Sequence, residues 1–305
     1  MTETTRILRR GPTKTNRVVN SQLLGELEKV LPSPTLTGKN LYHYSTQAGL
    51  LGIAKDKAIW MTDIRHLNDS TEFEYAMGLV RKKLDTKFQE QKDASYRDFL
   101  RGMADLLNVF EAYTKYVACF SEDGDSLSQW RGYTDDGTGF SIAWKDKNLK
   151  SLADEQYHRL VKCVYDPKEH DKIIERLFSA IESKFEPDWK APANNGLFFF
   201  LLFQVAAAMK HPKFEDEKEW RVVSIDARTP DEDIMFRSGR SRLIPYIELR
   251  LEADDGYLGV SEIFVGPNPH KVLSIHSTRA FARVKKLGKH LDNNIIPSGV
   301  PYRAW

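Results

Sequence analysis

Residues 214–225 read FEDEKEWRVVSI, two carboxylates two residues apart that run directly into a strand-forming apolar segment. Side chains of an extended chain repeat with period two. Glu217 and Glu219 are therefore expected on one face, roughly 6 to 7 Å apart, with Arg221 next on that side and Trp220, Val222 and Ser224 facing the other way. Such a pair at the mouth of a strand can stabilise a cationic transition state or activate a hydroxyl. Alternating Glu, Lys and Arg also describes a solvated strand edge. The pair is ill placed as the acid and base of a glycosidase, whose carboxylates must flank the bond.

Immediately upstream, residues 196–209 (GLFFFLLFQVAAAM) form the longest apolar run. It is too short to span a bilayer and contains Gln204, so it reads as a buried helix that stops at His211-Pro212. With a helical stretch from about Asp171 to Phe185 it makes an all-helical insertion over about 171–212. Strand patterns lie on both sides of this insertion: LYHYS, AIWMTD, KYVACFSE, GFSIAW and HRLVKCVYD before it, IPYIELRL and SEIFVGP after it. Helices are predicted from Thr46, from Ser70 to about Lys92, from about Tyr96 to Ala112 and from about His270 to Val284. Strands clustered at both ends of a helix-rich middle predict an α+β fold on a mixed, mainly antiparallel sheet. The linker PSPTLTGKN divides residues 1–39, a flexible basic lead with a short helix from Ser21 to Leu31, from a single domain over 40–305.

The chain has 305 residues, 41% of them hydrophobic and 11% aromatic, enough for a sizeable core. Forty-five basic and 43 acidic residues leave a formal charge of +2, so the balance implies no general pull toward nucleic acid or membrane. Cys119 and Cys163 sit in apolar stretches and read as buried thiols of a reducing compartment. The N-terminus lacks the apolar core of a secretory signal, and a cytoplasmic location is expected. No histidine or cysteine spacing suggests a metal site, and no glycine-rich phosphate loop or nucleophile elbow is present.

Three constellations remain. His43 precedes Ser45 at the end of the first strand, where a histidine beside a hydroxyl can hold a ribose; a lone sheet histidine is also commonly structural. Thr62, Asp63, Arg65, Asn68, Asp69, Glu72 and Glu74 form the densest polar cluster, of which Asp69 and Glu72 have capping-box spacing while Asp63, Arg65 and Asn68 are left as cleft candidates. Residues 121–133 (SEDGDSLSQWRGY) offer Trp130 or Tyr133 as an aromatic platform and Arg131 as a phosphate partner. The same stretch also reads as a surface loop pinned by a core tryptophan.

LYHYST, WMTDIRHLNDSTEFEYA, CFSEDGDSLSQWRGYTDDGTGFSI, EDEKEWR and the terminal PYR occur in order from Leu41 to Arg303 and resemble a large bacterial domain-of-unknown-function family. More distantly, a first strand bearing a histidine, an aromatic middle region and a glutamate leading a late strand resemble the ADP-ribosyltransferase fold, including bacterial toxins that modify nucleic acid. The resemblance implies NAD as the bound substrate, with His43 on a ribose, Tyr133 or Trp130 on the nicotinamide and Glu219 at the ribosyl cation. Glu217 matches the first acid of an E-x-E pair, and by charge alone Arg65 or Arg131 is a candidate pyrophosphate partner. It further implies transfer to an intracellular protein or nucleic acid, as in a toxin or anti-phage effector. The other reading is a non-catalytic module that senses a nucleotide, nucleic acid or phage protein.

Overall fold

The computed structural model describes residues 14–67, 71–108, 114–134, 137–184, 192–225, 231–239, 241–251 and 255–301. In chain order it contains α1 (Lys14–Val30), β1 (Asn40–Ser45), α2 (Gln47–Asp56), β2 (Ala58–Asp63), α3 (Thr71–Glu90), α4 (Ala94–Asn108) and β3 (Tyr116–Ser121). Then follow α5 (Leu127–Tyr133), β4 (Phe140–Lys145), α6 (Asp146–Glu155), β5 (His158–Lys162), α7 (Pro167–Glu182) and α8 (Pro192–Ala208). The chain continues through β6 (Glu219–Ser224), β7 (Met235–Ser238), β8 (Leu243–Arg250), β9 (Glu262–Val265), α9 (Lys271–Val284) and β10 (Ile295–Pro297). The class is α+β with a mainly antiparallel open sheet, as the strand distribution predicts.

The sheet branches at β3. One edge of β3 pairs with β6 from Val117 to Ser121, and β6 pairs onward with β5. The other edge is shared by two strands that touch it only at its ends: β1 through Tyr42 opposite Ser121, and β2 through Thr62 and Asp63 opposite Val117 and Tyr116. Between those contacts β1 turns away to pair with β4, and β2 to pair with β8. The result is a stem, β5–β6–β3, carrying two diverging wings, β1–β4–β9–β10 and β2–β8–β7. An unpaired backbone edge must find other partners or water, and a cleft opens there.

Two apolar cores flank this sheet. One gathers α1, α3, α4, α7 and α8 around Val117, Val161 and Val223 of the stem. The other lies on the opposite face, with Trp144, Phe120, Trp220 and residues of α2, α6 and α9. α8 is buried from Phe198 to Ala208, as its apolar run predicts, and Gln204 Nε2 donates to the Ser224 carbonyl at the end of β6 while its Oε1 is buried without a partner. The segment before Asn40 contributes to this core, since Leu27 and Val30 of α1 are fully buried against α7 and α8. α1 begins at Lys14 rather than Ser21. Serine inside a helix costs only a few tenths of a kcal/mol, about 0.5, so its capping preference does not force a start.

Candidate functional site

The strand that carries the acidic pair is central, not a solvated edge: every residue of β6 is buried. Glu219 opens it and Glu217 does not belong to it. Residues Pro212–Glu217 form a 3-10 turn, and Lys218 takes a left-handed conformation (φ 45°) before the strand starts. That turn abolishes the extended spacing expected for the two acids and folds both onto one ammonium. Lys210 Nζ donates to Glu219 Oε2 at 2.5 Å and to Glu217 Oε2 at 2.7 Å.

Arg221 shares the face of Glu219, as strand periodicity predicts, and grips it with a fork: Nε to Oε1 at 2.8 Å and Nη2 to Oε2 at 2.9 Å. The Lys210, Arg221 and Glu219 side chains are at most 4% exposed, while Glu217 is 18% exposed. Burial alone would raise the Glu219 pKa. The adjacent charges of Arg221 and Lys210, with hydrogen bonds from Arg221 and the Cys119 thiol, outweigh it and hold the carboxyl well below its usual range. Burial, with the same carboxylate adding to it, pushes the Cys119 thiol up.

Glu217, Glu219, Arg221 and Cys119 form the floor of a cleft of about 740 Å³ at the branch of the sheet, a size typical of small-molecule sites, while Lys210 lies outside its lining. Three successive residues of β1, Tyr42, His43 and Tyr44, line it, because the strand presents its edge to the cleft where it leaves β3. His43 takes over a carbonyl that the sheet ladder leaves open: its Nδ1 donates to Cys119 O at 2.9 Å. Burial lowers the His43 pKa, so the neutral ring with its proton on Nδ1 presents Nε2 as an acceptor. Tyr133, at the end of α5, lines the same space, and its hydroxyl pKa is raised by burial and by Glu217 and Glu219. The cleft continues into a neighbouring pocket of about 390 Å³ that shares His43 and Tyr133 and adds Ser45.

Other predicted site residues lie elsewhere. Trp130 is fully buried, its Nε1 donating to Asp125 at 2.8 Å and its ring set edge-on to Tyr44 at 4.8 Å. It pins the loop and offers no face to a ligand. Arg131, its neighbour on the helix, is exposed and does not line the cleft. Arg65 does not line it either: it closes a bidentate pair on the buried Asp63, which also caps the following turn, and reaches Thr114. Asn68 and Asp69 lie outside the described residues.

Several lining residues were not singled out from sequence. Lys210, which lies outside the lining but bridges both acids, was not singled out either. Arg237 and His66 come from separate segments and carry no local pattern, while His211 and Phe214 lie in the turn before β6. Among the described residues no helix is long and apolar enough to cross a membrane, and no cluster of His, Cys, Asp or Glu could hold a metal ion.

Residues 129–222 match the family model described as "Protein of unknown function (DUF2971)". The matched stretch runs from α5 to β6, so it contains Tyr133, Lys210, Glu217, Glu219 and Arg221 but not β1, β2 or β7. No curated protein and no solved structure matches the chain.

Proposed function

We propose that the chain is an NAD-dependent ADP-ribosyltransferase on an ADP-ribosyltransferase-like sheet, acting on an intracellular macromolecule. One observation carries the reading: His43, Tyr133, Glu217 and Glu219, from three distant parts of the sequence, line one cleft where the sheet divides. An effector role in bacterial conflict rests on the sequence resemblance alone. NAD supplies an ADP-ribosyl group whose anomeric carbon becomes electron-poor as nicotinamide departs with the C–N bonding electrons.

The chain's own residues divide the work. His43 Nε2 accepts a ribose hydroxyl, which requires the neutral ring that burial favours. Tyr133 provides an aromatic face at the cleft wall. Glu219 is kept ionised and fixed, so its negative charge is preorganised and needs no rearrangement as positive charge develops. Glu217, the more exposed acid, is placed to orient the acceptor and take its proton.

Incubation with NAD and a panel of protein and nucleic-acid acceptors, with nicotinamide followed by NMR, tests this. Wild-type protein is expected to release nicotinamide, with Glu219→Gln slowing release roughly 10²-fold and Glu217→Gln impairing transfer more than release. A wild-type protein that releases none with any acceptor, or a folded Glu219→Gln variant with full turnover, would overturn it. The saturation of Glu219 by Lys210 and Arg221 favours a second reading, a non-catalytic nucleotide-binding module. Calorimetry showing ADP-ribose binding without any turnover of NAD would select it.

A further inference from the structure

Arg237 stands on β7, the outermost strand of its wing, and lines both the cleft and the adjoining pocket. Two other arginines near the cleft are engaged by acids, Arg221 by Glu219 and Arg65 by Asp63. Arg237 has no carboxylate partner among the described residues. Its contacts are a long 3.4 Å hydrogen bond from Nη2 to Thr62 Oγ1 and a 6.0 Å approach to the Trp60 ring. Its Nε is buried and donates to nothing, and burial lowers its pKa. A buried donor without an acceptor costs about 1–3 kcal/mol, and more on a charged group.

His66, on the same wall, repeats the pattern with a buried Nδ1 that has no partner. The charges that act on it are Arg242, Arg65 and Arg237 against Asp63 alone, and Asp63 is already held by Arg65. The wall is therefore cationic and short of acceptors in the same place.

We propose that Arg237 and His66 form a phosphate subsite that takes the diphosphate of a nucleotide. A guanidinium set against Trp60 presents its planar fork to two phosphate oxygens, a geometry lysine cannot reproduce. Thr62 and the His66 N–H add neutral donors beside it. The nucleotide class rests on the transferase reading, in which His43 on the opposite wing holds the ribose. The anion-binding character rests on Arg237 and His66 themselves.

Calorimetric titration of the full chain with ADP-ribose and with adenosine decides it. Wild type should bind ADP-ribose at least about tenfold more tightly than adenosine, and R237Q should lose about that factor for ADP-ribose while adenosine binding stays unchanged. R237Q should melt with wild type, because the side chain makes only one weak hydrogen bond to protein. Should it fail to fold, R237K replaces it, keeping the charge but not the fork, and pyrophosphate should displace ADP-ribose from wild type more effectively than from R237K. Equal binding of ADP-ribose by wild type and variant, or no wild-type preference for the phosphate-bearing ligand, overturns the subsite. ADP-ribose binding that depends on Arg237 without nicotinamide release keeps the subsite and overturns the transferase; nicotinamide release at unchanged NAD affinity in R237Q does the reverse.

Discussion

At the floor of the cleft Glu217, Glu219 and Arg221, with Lys210 outside the lining, bring two positive and two negative charges into mutual contact, while on the facing wall Arg237 of β7 and His66 of the turn after β2 carry buried nitrogens that meet no acceptor. Both regions line one space. Removing charges from water costs several kcal/mol per ion unless partners restore the lost hydration. The floor is complete without a ligand and so fixes geometry. The wall is incomplete, and a bound anion would finish it. Function is thus better sought where the protein leaves a donor unanswered than where it assembles the densest ion pairs.

The sharpest way to break this comparison is to unbalance the floor. Lys210→Met keeps the length of the side chain but removes the ammonium that bridges both acids, leaving Glu217 and Glu219 facing one another with Arg221 alone to neutralise them. Breaking one partner of a buried pair typically costs about 3–5 kcal/mol. A loss of that size in urea unfolding is expected, accompanied by a change in cleft geometry even though Lys210 need not touch a ligand. A variant as stable as wild type would show that the network is not a structural floor at all.

How far these two regions were legible in the sequence follows from the range of the interactions that build them. Strand periodicity correctly placed Arg221 beside Glu219, and the apolar run at 196–209 correctly gave a buried helix, because both depend on neighbours within a few residues. Glu217 was misplaced because a 3-10 turn and a left-handed Lys218 intervene where an extended chain was expected. Trp130 and Tyr133 are one helical turn apart with similar surroundings in sequence, yet Asp125 and Tyr44 claim the first and the cleft receives the second. The branch at β3 joins strands from residues 40–63 with one from 116–121. Nothing local reports such pairing, and Arg237 becomes significant only once it is known.

A weaker perturbation of the floor is acid. Glu219 has a folded pKa held below its ordinary value near 4.5, chiefly by Arg221 and Lys210 acting against burial. The stability it contributes is therefore fully present above that ordinary value and is lost as pH falls through the folded one. Urea midpoints measured between about pH 5 and pH 2.5 should decline in wild type, and the decline should be shallower in Glu219→Gln, which starts from a lower plateau because Arg221 and Lys210 lose their shared counter-charge. Identical slopes in the two proteins would mean that other carboxylates carry the acid sensitivity and that the floor is not held by the ionised form of this acid.

The smallest effect is expected at Arg131, and it sharpens the contrast by being a charged residue in a polar stretch that belongs to neither region. It lies on α5 between the buried Trp130 and the cleft-lining Tyr133, exposed to solvent and outside the lining of both pockets. Substitutions at such positions usually change stability by no more than about 0.5 kcal/mol. Arg131→Ala should therefore melt close to wild type and bind ADP-ribose within about twofold of it, since Arg131 lines neither pocket and an exposed charge is largely screened at physiological salt. A tenfold loss of ADP-ribose affinity in this variant would move the phosphate site to α5, and with it the ligand's orientation across the cleft.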